Sequence, residues 1–249
     1  MRSFQFTKMQ GLGNDFVVFE GPLQLSVSEI SALCDRRFGI GADGVLVATK
    51  DDPVRMEYWN ADGSPAEMCG NGLRCVARYA YDKGWSMDRN FSVRTPVGER
   101  GVRVLEDSVE AELGRPTING GLRHDDFEFE LVEVGNPHAV TFVDDPELVD
   151  VAGVGGELQA EFPDGANIEF ARVVDGTVDM RVWERGVGET LACGTGMVAV
   201  AAIAIQRFEL DTPVPITVRG GHASVDFRDG AAWIIGPAEY SFRGSVGER

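Results

Sequence analysis

Apolar positions along the chain follow two rhythms, and the strand rhythm dominates. Alternating or β-branched runs occur at Val45 to Thr49, Val54 to Trp59, Phe91 to Thr95, Gly101 to Leu105, Phe127 to Val134, Ala139 to Val143, Ile168 to Val173, Val178 to Trp183, Ile216 to Val218 and Ala232 to Ile235. Such runs predict strands, because side chains on a pleated backbone alternate between faces. Phe4 and Phe6 alternate with polar neighbours and read the same way. Helical spacing is rarer. Ser26 with Glu29 three residues on is a capping-box signature and predicts a helix that stops near Gly39. Two further helices are predicted from about Cys69 to Gly84 and from about Cys193 to Arg207. The last is apolar almost all round, which suits a helix enclosed by strands rather than one lying on a surface.

One pattern occurs twice, half a chain length apart: Met68-Cys69-Gly70-Asn71-Gly72 and Ala192-Cys193-Gly194-Thr195-Gly196, each a Cys-Gly-x-Gly at the entry to a helix. The repetition predicts two copies of one unit, related by a pseudo-twofold axis and facing each other. The fold class is therefore α+β, with two pseudo-symmetric domains, each a curved, barrel-like sheet wrapped around a central helix. The least periodic stretch, Gly114 to Asp126, carries Arg115-Pro116 and Asn119-Gly120-Gly121. The boundary is expected there, giving domains 1–116 and 117–238.

Composition narrows the partners. The 249 residues carry 23 Lys+Arg against 40 Asp+Glu, a formal net charge of −17, with 43% hydrophobic and 25% charged residues. That is a folded protein rather than a disordered chain. Its surface repels phosphate backbones and anionic lipid, so neither nucleic acid nor a membrane is expected as a partner. The longest uncharged apolar-rich run, Thr190 to Gln206, is interrupted by Cys193-Gly194-Thr195-Gly196 and falls short of the roughly 20 residues that span a bilayer. No apolar signal segment opens the chain, and a cytoplasmic location is expected.

Candidate chemistry begins with two exclusions. Gly39-Ile40-Gly41-Ala42-Asp43-Gly44 fits G-x-G-x-x-G, but it closes a helix and opens a strand, the reverse of a dinucleotide fingerprint. Cys69 and Cys75 lack C-x₂-C spacing and His124, His138 and His222 are scattered, so neither a metal site nor a cofactor is expected. Cys34 and Cys75 fall on core faces of helices and read as structural. Cys69 and Cys193 stand at helix starts, where unpaired N–H groups and the macrodipole favour thiolate and lower the pKa. Two such thiols on opposite walls of a cleft form a two-base site. One removes a proton next to a carboxylate and the other delivers one to the opposite face, while the backbone N–H groups of Gly70, Asn71, Gly194 and Thr195 cradle the carboxylate. The expected ligand is a small amino acid, and the reaction racemisation or epimerisation.

The segments Lys8 to Phe16, Arg37 to Gly44, Asn60-Ala61-Asp62-Gly63-Ser64, Cys69-Gly70-Asn71-Gly72, Gly135-Asn136-Pro137-His138, Glu184-Arg185-Gly186 and Ala192 to Gly196 occur in an order that resembles the diaminopimelate epimerase family over the whole chain. The resemblance implies a cofactor-independent enzyme of lysine and cell-wall precursor synthesis that interconverts LL- and meso-diaminopimelate, with Cys69 and Cys193 as the acid–base pair. It also implies substrate contacts from Asn14, Asn60, Asn136, Asn167, Glu184 and Arg185, a homodimer, and a C-terminal strand over 239–249 that returns to the first domain. One departure stands out. Many bacterial members carry glutamine where this chain has Gly44, so no side-chain contact is expected there. Two other readings stay open: a racemase or isomerase of the proline or histidine type, and an amino-acid-binding module whose cysteines merely pack.

The basic residues are lopsided, with Lys8, Lys50 and Lys83 the only lysines among 23. Excess acid with arginine-rich base suggests adaptation to high salt, where the Debye length shrinks to about 3 Å and carboxylate self-repulsion is screened. The melting temperature is expected to rise from dilute buffer to molar KCl. Equal stability in the two would contradict salt adaptation.

Overall fold

The computed structural model describes residues 3–66 and 68–247. In chain order its elements are β1 (Ser3–Gly11), β2 (Asn14–Glu20), α1 (Val27–Cys34), β3 (Gly44–Thr49), β4 (Val54–Asn60), α2 (Gly70–Asp82), β5 (Asn90–Thr95), β6 (Gly98–Val104), β7 (Val109–Gly114), β8 (Thr117–His124) and β9 (Phe127–Glu133). There follow β10 (Pro137–Phe142), α3 (Val151–Gln159), β11 (Asn167–Val174), β12 (Thr177–Glu184), β13 (Gly188–Thr190), α4 (Gly194–Phe208), β14 (Val214–Val218), β15 (Gly221–Arg228), β16 (Ala231–Gly236) and β17 (Glu239–Gly247). The chain divides into two compact units, Met1–Ala111 with Gly236–Arg249, and Glu112–Ile235. Both divisions fall a few residues before the positions 116/117 and 238/239 read from the sequence.

In the first unit β17 lies antiparallel to β1, β1 to β2, β3 to β4, β5 to β6 and β6 to β7, while β2–β3 and β4–β5 are parallel. Parallel neighbours need a crossover, and α1 and α2 supply the two. In the second unit β8–β9, β9–β10, β11–β12, β14–β15 and β15–β16 are antiparallel and β10–β11 and β12–β14 parallel, with α3 and α4 in the crossovers and β13 added on β12. The sequence of parallel and antiparallel steps is the same in both. β17 takes the place in the first unit that β8 holds in the second. Duplication thus extends from the cysteine motif to the order of strands.

Each sheet encloses its second crossover helix. α2 packs on β1, β2, β3, β4 and β6, and α4 on β9, β10, β11, β12, β14 and β15. Every residue of α4 from Gly196 to Ala204 is buried, which accounts for its uninterrupted apolar composition. Against α3 and β11 a second core gathers Phe129, Ile168, Phe170 and Leu158, with Phe127, Phe129 and Phe170 in edge or tilted ring contacts at 5.7–6.0 Å. Among the described residues no helix is long and apolar enough to cross a membrane.

Strands β2, β7, β13 and β15 go beyond those read from the sequence, and three further segments depart from that reading. The stretch 114–126, read as an aperiodic boundary, is mostly β8, which pairs with β9 through a register shift between Ile118 and Gly121. A Cβ on Gly121 would lie 2.7 Å from the Phe129 carbonyl oxygen, so the glycines mark a bulge and a close approach rather than a linker. α3 forms despite Gly153, Gly155 and Gly156. Asp150 caps it by accepting the Gly153 N–H at 3.0 Å, and Gly155 is pressed against Trp183, where a Cβ would come within 2.6 Å. Tertiary packing here overrides helix propensity. α1 ends at Cys34, before the expected Gly39, because the Asp35 carboxylate takes the N–H groups of Arg37 and Phe38 at 2.7 Å each and turns the chain.

Gly44 also has a structural explanation. A Cβ at this position would lie 2.4 Å from the Trp59 carbonyl oxygen and 2.6 Å from the Tyr58 ring, which is itself wedged against Phe16. The substitution Gly44→Gln is therefore expected to destabilise the protein by about 1–3 kcal/mol through overpacking. A urea midpoint unchanged by it would contradict this account.

Candidate active site

Cys69 is not inside α2 but is its N-cap, with extended backbone angles of φ −147° and ψ 108°. Its sulphur accepts the Gly72 N–H at 3.3 Å, serving the donor that Ser or Asp usually caps. The same thiol donates to Asn14 Oδ1 at 3.6 Å, and Asn71 Nδ2 donates to that oxygen at 3.2 Å. Asn14 is held from behind, its Nδ2 donating to Asp43 Oδ2 at 2.8 Å while Arg36 donates to Asp43 Oδ1 at 2.7 Å. Because Asp43 can only accept, the Asn14 amide is fixed with its oxygen towards Cys69. Asp15 closes the cluster with Lys8 at 2.6 Å and with Arg36. Burial raises its pKa, but hydrogen bonds from Arg36 and Lys8 more than offset that and hold it down to about 2.

Beneath the first turn of α2 the Arg74 side chain is fully buried. It donates to Asn71 Oδ1 at 2.8 Å, to the Pro237 carbonyl at 3.2 Å and to the Gly70 carbonyl at 3.4 Å. Burial lowers its pKa to about 10, against the pull of the Cys75 and Cys69 thiols, so the guanidinium stays charged at neutral pH. Asn60 ends β4, and its amide donates to Ser64 Oγ at 3.1 Å. Cys69, Asn14, Asn71 and Gly70 form one connected group. Asn60 lies in the same unit and is exposed.

Cys193 repeats the arrangement as N-cap of α4, with φ −117°, ψ 117° and its sulphur accepting the Gly196 N–H at 3.3 Å. Thr195 Oγ1 lies 3.5 Å from that sulphur. Glu184, at the end of β12, accepts from the Thr190 hydroxyl. Asn167 is buried and accepts the Arg185 backbone N–H at 2.9 Å, which leaves the Arg185 guanidinium on the exposed side with a 3.4 Å contact to the Asp164 carbonyl. Asn136 Oδ1 lies 3.0 Å from His138 Nε2, and His138 Nδ1 lies 2.7 Å from Glu169 Oε1.

Charge around Cys193 reverses the expectation drawn from its helix start. Burial raises its pKa well above the ordinary thiol value, and the Glu184 and Glu169 carboxylates raise it further. The Thr195 hydroxyl and the Gly196 N–H pull the other way and are outweighed. Glu184 is itself raised, chiefly by burial and then by Glu169, against the Thr190, His138 and Cys193 contacts that lower it.

Glu169 and Arg74 are not among the candidate site residues, nor are His138 and Asp43, although these two lie in the motifs Gly135 to His138 and Arg37 to Gly44. Glu169 left a signal: it is the one charge in the apolar run from Ala166 to Ala171, two residues from Asn167 and hence on the same face of its strand. Among the described residues only His124, Asp125 and Glu157 bring three potential metal-ligating atoms within 4.8 Å, and His124 Nδ1 already meets Glu161 at 2.7 Å.

Comparison with known proteins adds an independent line. The family model described as diaminopimelate epimerase matches residues 6–119 and 130–240. A diaminopimelate epimerase from Methanocella arvoryzae is 38% identical, covering 99% of this chain and 98% of the relative. One from Methanococcus maripaludis (strain C5) is 35% identical, covering 97% of this chain and 99% of the relative. Among solved structures, a phenazine biosynthesis protein of the PhzF family from Bacillus anthracis superposes with a TM-score of 0.80 at 13% identity, covering all of both chains. At that identity the likeness speaks for the fold alone.

Cys34 is raised to about 11 and Cys75 to about 12, both by burial, and Cys193 lies well above the ordinary value. In a Cys69→Ala protein, all three remaining thiols should therefore resist iodoacetamide near pH 8, since only the thiolate reacts. Mass spectrometry checks this, and alkylation of Cys193 at the rate of free cysteine would contradict the charge analysis.

Proposed function

The chain belongs to the diaminopimelate epimerase family, and on that premise we propose that it interconverts LL-2,6-diaminopimelate and meso-diaminopimelate with Cys69 and Cys193 as its acid–base pair. It is an isomerase of the epimerase type. The observation that best supports the pairing is that the duplicated motif gives both sulphurs one role, the N-cap of a glycine-led helix. Lysine synthesis, a cytoplasmic setting and a homodimer belong to the same reading.

The reaction exchanges one proton for another at a single carbon. A thiolate takes the α-hydrogen as a proton, leaving the electron pair delocalised into the carboxylate, and a thiol on the opposite face returns a proton to carbon. The centre is inverted, the two sulphurs have exchanged protonation states, and nothing is oxidised. An α C–H bond is a very weak acid, so the enediolate-like transition state needs fixed dipoles. Backbone N–H groups of Gly70, Asn71, Gly194 and Thr195, at the positive ends of α2 and α4, suit that task. Cys193, kept protonated by burial and two carboxylates, enters as the acid. Cys69 then enters as the base.

The distal end of the substrate, which does not react, needs its own recognition. Arg185 offers an exposed guanidinium for the distal carboxylate and Glu184 a carboxylate for the distal ammonium, and Asn14, Asn60, Asn136 and Asn167 offer amides. Burial raises the Glu184 pKa, and an arriving ammonium would pull it back down, so its charge and the ligand's are mutually dependent.

Purified protein is expected to turn over LL-diaminopimelate and to leave proline and histidine unchanged. Cys69→Ala and Cys193→Ala should each reduce turnover by at least about 10²–10⁴-fold, whereas Cys34→Ala and Cys75→Ala should leave it within a small factor. Racemisation of proline or histidine in place of diaminopimelate epimerisation would overturn the substrate. Full activity of Cys193→Ala would overturn the mechanism, and binding without α-hydrogen exchange would leave only an amino-acid-binding module.

A further inference from the structure

Glu169 is wholly buried on β11, and its two oxygens are treated differently. Oε1 lies 2.7 Å from His138 Nδ1, while Oε2 has no hydrogen-bond partner among the described residues. A Cβ on Gly196 would come within 2.6 Å of Oε1, so the carboxylate is pressed against the first turn of α4, the turn that Cys193 caps. An uncompensated buried oxygen is unfavourable for the fold and is uncommon without a local reason. Glycine at 196 is what admits it: any side chain there would displace the carboxylate.

We propose that Glu169 is a positioning residue of the epimerisation, holding the His138 ring by its Nδ1 proton and keeping a fixed negative charge beside the Cys193 sulphur. Nδ1 on Glu169 and Nε2 on the Asn136 amide tether the ring at both nitrogens, so the imidazole and the Asn136 amide are oriented together. The charged groups facing Cys193 are Glu184 from β12 and Glu169 from β11, with His138 from β10 between Asn136 and Glu169. A negative neighbour disfavours the thiolate. It keeps Cys193 a thiol until its proton is called for, and makes the thiolate left behind a stronger base for the return reaction, matched to a very weak carbon acid. Glu169 has no contact with substrate in this scheme and acts through His138 and Cys193.

The inference rests on the proposed pairing of Cys69 with Cys193, and its test includes readouts that need no turnover. In Glu169→Gln, kcat is expected to fall on the order of tenfold or more with KM within about twofold. Cys193 in Cys69→Ala/Glu169→Gln should become alkylated by iodoacetamide at lower pH than in Cys69→Ala, because a like charge has been removed. With only three histidines in the chain, the ¹⁵N signals of the His138 ring can be followed directly, and they should shift in Glu169→Gln. A folded Glu169→Gln protein with unchanged kcat, alkylation profile and ring signals overturns the proposal. If that variant does not fold, Glu169→Asp decides: retained charge with lost reach should shift the ring signals and lower kcat, and wild-type values for both overturn it. An inactive wild-type enzyme on diaminopimelate would instead refute the substrate, while the alkylation and ring measurements still judge Glu169.

Discussion

A helix begins with backbone N–H groups that have no partner within it, and in both units of this protein a cysteine sulphur takes one of them. Oxygen is the usual cap and the better one. Sulphur in its place fixes the thiol at the mouth of the helix, with extended backbone angles, a glycine directly after it, and the positive end of the macrodipole behind it. The capping contact links stability to chemistry: the atom that closes the first turn is the atom proposed to carry the proton. The strand order follows the same economy, since each capped helix is the second crossover of an identically ordered sheet.

Identical backbone frames carry opposite electrostatics. Under α2 lies a buried guanidinium, Arg74, satisfied by two carbonyls and an amide, and beside it Asn14 is held by an ionic cluster of Asp43, Arg36, Asp15 and Lys8. Under α4 lie Glu169 and Glu184. The helix dipole is common to both, so it cannot by itself set the ionisation of either thiol. Burial, with the Glu184 and Glu169 carboxylates adding to it, outweighs it at Cys193. The proposed reaction uses this difference, with Cys193 starting as the acid and Cys69 as the base.

Much of this was legible in the sequence for physical reasons. The duplicated Cys-Gly-x-Gly, the two helices that follow it and most strands rest on periodicity and on glycine chemistry, both local. What is not legible there rests on contacts distant in sequence. α3 has a composition hostile to helix and forms because Gly155 packs on Trp183 and Asp150 caps the turn. β8 was obscured by glycines that mark a bulge against Phe129. The pKa of Cys193 could not be read from its place at a helix start, because it is raised by tertiary burial and then by carboxylates from β11 and β12. Asp43 belongs to a glycine-rich motif that reads as a turn, yet it anchors Asn14.

The central claim is that two different groups move the proton, one on each face of the carbon. It is tested most directly by epimerising LL-diaminopimelate in D₂O and analysing both isomers early in the reaction. Two bases require the meso product to carry solvent deuterium at the inverted centre while the remaining LL substrate still carries none. Product that retains the original hydrogen, or deuterium accumulating equally in the unreacted LL isomer, would show a single base at work and contradict the account.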